Sequence, residues 1–146
     1  MSASDTVTLT DVQTLKASAQ RDDSEGLTFG PVDLSEFAPQ ITFDFFGRDK
    51  DTPERQCARI TVTAEAAVGS FEVQVAGLFT MPDAESLPEA EGNQLLEQAL
   101  DALFPFVRAE ITDVTTRVFN SGLLAPPLDF SGQLAKARRR PPKRAS

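Results

Sequence analysis

The chain has 146 residues, 40% of them hydrophobic and 25% charged, with a net charge of −8, which describes one soluble domain with enough apolar material for a core. It contains no histidine and one cysteine, Cys57, so His-dependent nucleophilic triads, internal disulfides and the ordinary zinc and haem ligand sets are all excluded. No apolar run reaches the ~20 residues needed to cross a bilayer, and the opening MSASDTVTLT lacks the basic and apolar regions of a secretory signal, so a cytoplasmic location is expected.

Taken in chain order, the strand signals precede any strong helix signal, which predicts an α+β domain. A first strand is predicted within residues 7–19, where Val7, Leu9, Leu15 and Ala17 share one parity and Thr8, Thr10, Thr14 and Lys16 the other, although VQTLKASAQ also fits a helix. The stretch RDDSEGLTFGPVDLSEFAPQ carries Gly26, Gly30, Pro31 and Pro39 among Leu27, Phe29, Leu34 and Phe37; it reads as a long connection, apolar enough that it must cover something. Residues 40–48 form a second strand, with Ile41, Phe43 and Phe45 on one face and Thr42 and Asp44 on the other. After the turn GRDKDTPE, a third strand over residues 55–67 sets Ala58, Ile60, Val62 and Ala64 against Arg59, Thr61, Thr63 and Glu65. A fourth over 70–81 sets Phe71, Val73, Val75, Gly77 and Phe79 against Glu72, Gln74, Ala76 and Thr80. Short links between these strands predict an antiparallel meander with one dry face.

A helix supplies the cover. Between Gly92 and Asn120 the apolar positions Leu96, Leu100, Leu103, Val107, Ile111, Val114 and Val118 recur every three or four residues, and Asn120-Ser121-Gly122 marks the end. A second apolar set, Leu95, Ala99, Ala102, Phe106 and Ala109, lies beside the first, which makes the stripe broader than one sheet demands. Pro105 interrupts this pattern, and the economical reading is a kink that divides the segment into a short helix and a longer one.

Beyond the helix, Lys136, Arg138, Arg139, Arg140, Lys143 and Arg144 crowd the end of the chain, and no acidic residue follows Asp129. The remainder, with eight basic and 22 acidic residues, carries −14, a charge that opposes docking on nucleic acid or an anionic membrane. The organisation expected is one domain over residues 1–135 and a basic tail over 136–146, which reads first as a disordered, solubilising end and second as a contact for nucleic acid or lipid. Nothing suggests catalysis. There is no Gly-rich phosphate loop and no G-x-S-x-G, and Asp22-Asp23 beside Arg21 and Ser24 reads as a solvated turn. A non-enzyme without metal or cofactor is expected.

The run LFPFVRAEITDVTTRVFNSGLLAPPLDFSGQL, residues 103–134, resembles the C-terminal half of the SecB family of export chaperones, whose pattern there is L-F-P-Y-x-R-E-x-I, then a leucine-rich turn, a proline and an N-F-D-like helix start. Leu103, Phe104, Pro105, Phe106, Arg108 and Ile111 carry the first part, with Glu110 one place late; Leu123, Pro126, Pro127, Leu128 and Phe130 carry the second. Upstream, ARITVTAEA and FEVQVAGLFTM are similar to two family strands, through Glu72, Val73, Gly77, Leu78 and Phe79 in the latter, so the resemblance spans about two thirds of the chain. LAPPL, residues 124–128, is closer to the divergent SecB-like chaperones that accompany toxin–antitoxin systems.

The resemblance implies a four-stranded antiparallel sheet, a meander with an N-terminal crossover strand, covered by a long kinked helix and a short C-terminal helix. It also implies dimers formed by pairing edge strands, and tetramers formed as dimers of dimers through the helices. The implied function is that of a holdase, which keeps unfolded clients such as preproteins or an antitoxin soluble in apolar grooves. For client binding the candidates are Leu27, Phe29, Leu34 and Phe37 in the connection, Phe46 on the less apolar sheet face, and Phe104 and Phe106 beside Pro105; for each, burial in the core is the competing assignment. Glu72 matches the family's acidic sheet surface, which meets the SecA translocation motor, and a solvated strand carboxylate is its competing assignment. Leu96, Leu103, Val107, Ile111, Val114 and Val118 are the candidates for the oligomer interface. The alternative function is an adaptor on the same fold, whose basic tail contacts nucleic acid or membrane.

Overall fold

The computed structural model describes residues 7–27, 29–47, 49–124, 130 and 134. Four strands, β1 (Thr8–Arg21), β2 (Gln40–Phe46), β3 (Arg55–Ala66) and β4 (Gly69–Thr80), are followed by a 3-10 turn (Ala84–Ser86) and one helix, α1 (Glu89–Phe119). All neighbours pair antiparallel in the order β1-β4-β3-β2. Strands β2 to β4 are the predicted meander, and β1 crosses over to the far edge beside β4. The short C-terminal helix and basic tail expected from the sequence lie outside the described residues.

Alternation decides the dry face. The register lines up Phe43, Ile60 and Val75 in one row and Ile41, Val62 and Val73 in the next, so β-branched and aromatic side chains stack across three strands. Ile60, Val62, Val73, Val75 and Phe79 are fully buried, each contributing ~1.5–3 kcal/mol relative to exposure. Two features let neighbouring pieces approach this layer. Gly77 sits where a Cβ would meet side-chain atoms of Phe79, Leu103 and Leu9 at 2.9–3.0 Å, so the helix settles closely on β4. Gly69, with φ +146°, follows the two-residue β3–β4 link at a point where a Cβ would lie 2.1 Å from the carbonyl oxygen of Gln20.

Strand β1 departs from simple alternation. Irregularities between Leu9 and Asp11 and between Thr14 and Lys16 shift its register against β4 twice. The residues that share the dry face are therefore Leu9, Val12, Ala17 and Ala19, opposite Phe79, Gly77, Val73 and Phe71. Leu15, placed with the apolar set by parity, is exposed instead.

Helix α1 packs on β1, β4 and β3 through Leu100, Leu103, Val107, Ile111 and Val114. It begins at Glu89, three residues before the predicted start, with Glu89 and Glu91 favourably placed in the first turn, and it ends at Asn120 in a left-handed cap whose N–H donates to the Thr116 carbonyl. The predicted division at Pro105 does not occur; α1 is one helix with Pro105 inside it. The proline lies on the exposed side of the helix and leaves the Asp101 carbonyl without its usual N–H partner. No helix among the described residues is long and apolar enough to cross a membrane.

Beyond α1 the chain reverses. The buried Thr115 hydroxyl donates to the Ile111 carbonyl at 2.6 Å and accepts the Leu123 N–H at 2.9 Å, while the Thr112 hydroxyl donates to the Leu123 carbonyl. The Phe130 N–H donates to the Asp101 carboxylate and the Leu134 N–H to the Glu97 carboxylate, so these two residues are held against successive turns of the helix. The Phe130 ring packs edge-on against Phe43 and Phe104 and roofs β2.

Candidate functional site

The crossover connection, residues 22–39, is held by two local turns. The Asp22 carboxylate accepts the Ser24 N–H and the Asp33 carboxylate the Ser35 N–H, each at 2.9 Å, and the Val32 N–H donates to the Phe119 carbonyl at the end of α1. Hydrogen bonds from the Ser24 hydroxyl and N–H hold the Asp22 carboxyl below its ordinary range, and those from the Ser35 N–H and hydroxyl do the same for Asp33. The connection does cover the core. Leu34 and Phe37 are buried, with the Phe37 ring edge-on to Phe71 and Phe119.

That burial divides the predicted client-binding residues. Leu34, Phe37 and Phe104 are structural: the first two seal the helix end of the core and the third is covered by Phe130. Leu27 and Phe29, at 60% and 88% exposure, and Phe46 and Phe106, at 41% and 46%, present apolar surface. Phe46 lies beside the uncovered sheet face, with the Arg59 guanidinium 5.2 Å above its ring and Arg59 also paired to Asp44. Hydrogen bonding and the charge of Asp44 hold Arg59 even more firmly protonated than usual.

The six residues assigned to an oligomer interface require correction. Leu96, Leu103, Val107, Ile111 and Val114 are buried within the chain and Val118 is half-buried against the same core, so this stripe belongs to the sheet and has no surface to offer a second copy. The other helical set divides along its length. Leu95 and Ala99 are buried, whereas Ala102, Phe106 and Ala109 face outward with Pro105. Leu124, 78% exposed, completes this apolar strip, and a shallow cavity of about 190 Å³ lies between it and Pro105, Arg108, Ala109 and Thr112.

Leu124 and Leu15 are exposed apolar residues that sequence periodicity missed. Both lie where the period breaks, Leu124 after the helix and Leu15 at an irregularity of β1. Glu72 stands on the uncovered sheet face and pairs with Lys16 across the β1–β4 junction at 3.0 Å. That face is polar, carrying Arg59, Thr61, Thr63, Glu72 and Gln74. Among the described residues, no group of three or more His, Cys, Asp or Glu side chains could hold a metal ion.

No protein-family model matches the sequence, and comparison with curated proteins finds no relative. Solved structures do match. The Mycobacterium tuberculosis SecB-like chaperone Rv1957, in complex with a ChAD peptide from the Rv1956 HigA1 antitoxin, superposes with a TM-score of 0.55 at 18% identity, over 84% of this chain and 87% of that one. A Streptococcus agalactiae protein of unknown function superposes with a TM-score of 0.50 at 11% identity, over 83% of this chain and 97% of that one. The sheet order, the crossover connection and the single long helix thus form the fold of a SecB-like chaperone.

Proposed function

We propose that the protein is a SecB-like holdase that binds extended, unfolded segments of client polypeptides and keeps them soluble. The observation that carries this reading is the shared fold with a SecB-like chaperone whose structure holds an antitoxin peptide. Exposed Leu27 and Phe29 on the connection supply apolar contacts that tolerate many client sequences. Strand β1, 14 residues long and at the sheet edge, supplies backbone N–H and C=O groups that could pair with an extended chain or with β1 of a second copy.

In this reading the working form is a cytoplasmic homo-oligomer, a dimer of dimers. The strip formed by Ala102, Phe106, Ala109 and Leu124 replaces the buried helical stripe as the surface through which dimers pack. An antitoxin-like client is favoured over preproteins handed to SecA, because the neighbour with a bound peptide carries an antitoxin segment. Glu72 remains the candidate contact for a motor such as SecA.

The test is native mass, measured on the protein alone and mixed with a permanently unfolded polypeptide. A tetramer that takes up the polypeptide in whole-number stoichiometry is the expected result. A monomer that ignores it would leave the likeness as one of fold only.

A further inference from the structure

The two edges of the sheet are built differently. Strand β1 is interrupted by two register shifts and carries Lys16, both of them features that blunt an edge against a further strand. Strand β2 has neither. Its seven residues, QITFDFF, pair with β3 in unbroken register, they include no proline, glycine or lysine, and their one charge, Asp44, is paired to Arg59. No strand among the described residues pairs with the far side of β2, so its outward N–H and C=O groups form a regular ladder edge.

That edge ends at a cavity. The Gln56 side chain donates to the Phe46 and Cys57 carbonyls at 3.0 Å each, which closes the end of β2, and Gly47 turns the chain away with φ +76°. A cavity of about 550 Å³ lies here, between Phe45, Phe46 and Gly47 on one side and Leu87, Asn93 and Leu96 on the other. Asn93 is only 4% exposed, and its Oδ1 has no hydrogen-bond partner among the described residues. An amide oxygen accepts and cannot donate, so a guest in this cavity must bring a donor. Apolar walls around a single acceptor suit a chain that offers an N–H together with an apolar side chain, and an extended polypeptide offers both.

We propose that β2 is the edge on which an extended client segment is added to the sheet, with the segment's last residue placing an apolar side chain in the cavity and an N–H on Asn93 Oδ1. This rests on the holdase reading; it assigns the client's backbone to β2 and leaves β1 to a second copy. An added strand lies ~4.8 Å beyond β2, and its alternate side chains fall on the side of Phe43 and Phe45, in line with the cavity. Backbone pairing then supplies affinity that is blind to client sequence, while the cavity selects one apolar residue at the segment's end.

Amide hydrogen exchange on the full chain, with and without an alkylated, permanently unfolded polypeptide, tests this. At saturation every second amide between Ile41 and Phe45, those whose N–H faces away from β3, should exchange about tenfold more slowly, while the amides of β1 are unaffected. Binding without protection on β2, or with the protection on β1, would overturn the proposal and leave the holdase reading standing; absence of any binding would overturn both. Protection of β2 that rises with protein concentration when no polypeptide is present would give the edge to a second copy and overturn the proposal as well. Asn93→Leu tests the cavity separately. It removes the acceptor and keeps the branched shape, with the cavity beside it to take the larger methyl groups, so the melting temperature should not fall. Affinity for the polypeptide should drop about fivefold, the scale of one hydrogen bond, with native mass unchanged. Unchanged affinity, or a loss that comes with a lower Tm, would overturn the contact at Asn93.

Discussion

Thr115 is fully buried, and its hydroxyl donates its one hydrogen to the Ile111 carbonyl at 2.6 Å, with the Thr112 carbonyl a more distant acceptor at 3.2 Å, and accepts the Leu123 N–H. It is the pivot of the chain reversal after α1. Thr115→Ala strands the Leu123 N–H in a half-buried place, so a loss of ~1–3 kcal/mol in chemical denaturation is expected. Thr116→Ala, which removes an exposed hydroxyl bonded only to its own helix, should cost less than ~0.5 kcal/mol. Equal losses in the two variants would remove Thr115 from this role. Asp22 and Asp33 act at the same scale on the crossover connection. Their folded-state pKa values lie below the ordinary 3.8, so their contribution is fully present above that pH and is lost as pH falls through the lower folded values. The Ser24 and Ser35 amide resonances should therefore hold steady at pH 5 and move only below 3.8, and Asp33→Asn should abolish the Ser35 transition. A midpoint at or above 3.8 would contradict the turn geometry.

At the scale of elements, Pro105 is the clearest case of a local rule overridden by packing. A proline in a helix interior costs ~3 kcal/mol relative to alanine, yet α1 runs through it because Leu103, Phe104 and Val107 on either side are buried and hold the turn in place. Pro105→Ala should raise stability by ~1–3 kcal/mol, read from the denaturation midpoint at constant slope. A loss would show that the proline sets a bend on which the outer face depends. Sequence periodicity alone could not anticipate a continuous helix, since it sees the missing donor and not the neighbours that compensate. For the sheet the same method succeeded, because β3 and β4 alternate without interruption and one dry face fixes their register. It misjudged Leu15, because two irregularities in β1 switch parity without any signal in glycine or proline. It also took the stripe of Leu103, Val107 and Ile111 for an interface, since a period of 3.6 reports that a face is buried and not what buries it. The pocket around Asn93 was invisible for a related reason. It joins the end of β2 to the 3-10 turn and the first turns of α1, and β2 is distant in sequence from the other two.

For the whole molecule, the question is whether the apolar surface left outside serves clients, assembly or both. The structure separates two patches that sequence had grouped. Leu27 and Phe29 lie on the connection, held at its base by Asp22 and Asp33, while Phe106 and Leu124 lie on the outer face of α1 and the segment after it. Phe37 can no longer serve as a probe of client binding, because a charge there would be buried against Phe71 and Phe119 and would unfold the chain. The informative pair is Leu27→Asp with Phe29→Asp against Phe106→Asp with Leu124→Asp. Each pair trades two exposed apolar side chains for carboxylates, so the fold should survive in both, as judged by an unchanged far-ultraviolet spectrum. In the holdase reading the first pair lowers affinity for an unfolded polypeptide by about tenfold or more and leaves the native mass unchanged, because a desolvated phenylalanine contact is worth at least ~1.4 kcal/mol. The second pair reduces the mass from tetramer to dimer, since the carboxylates would face their own copies across a two-fold axis. If the second pair weakens client binding while the tetramer persists, the outer face of α1 is the groove, and the dimers must meet elsewhere.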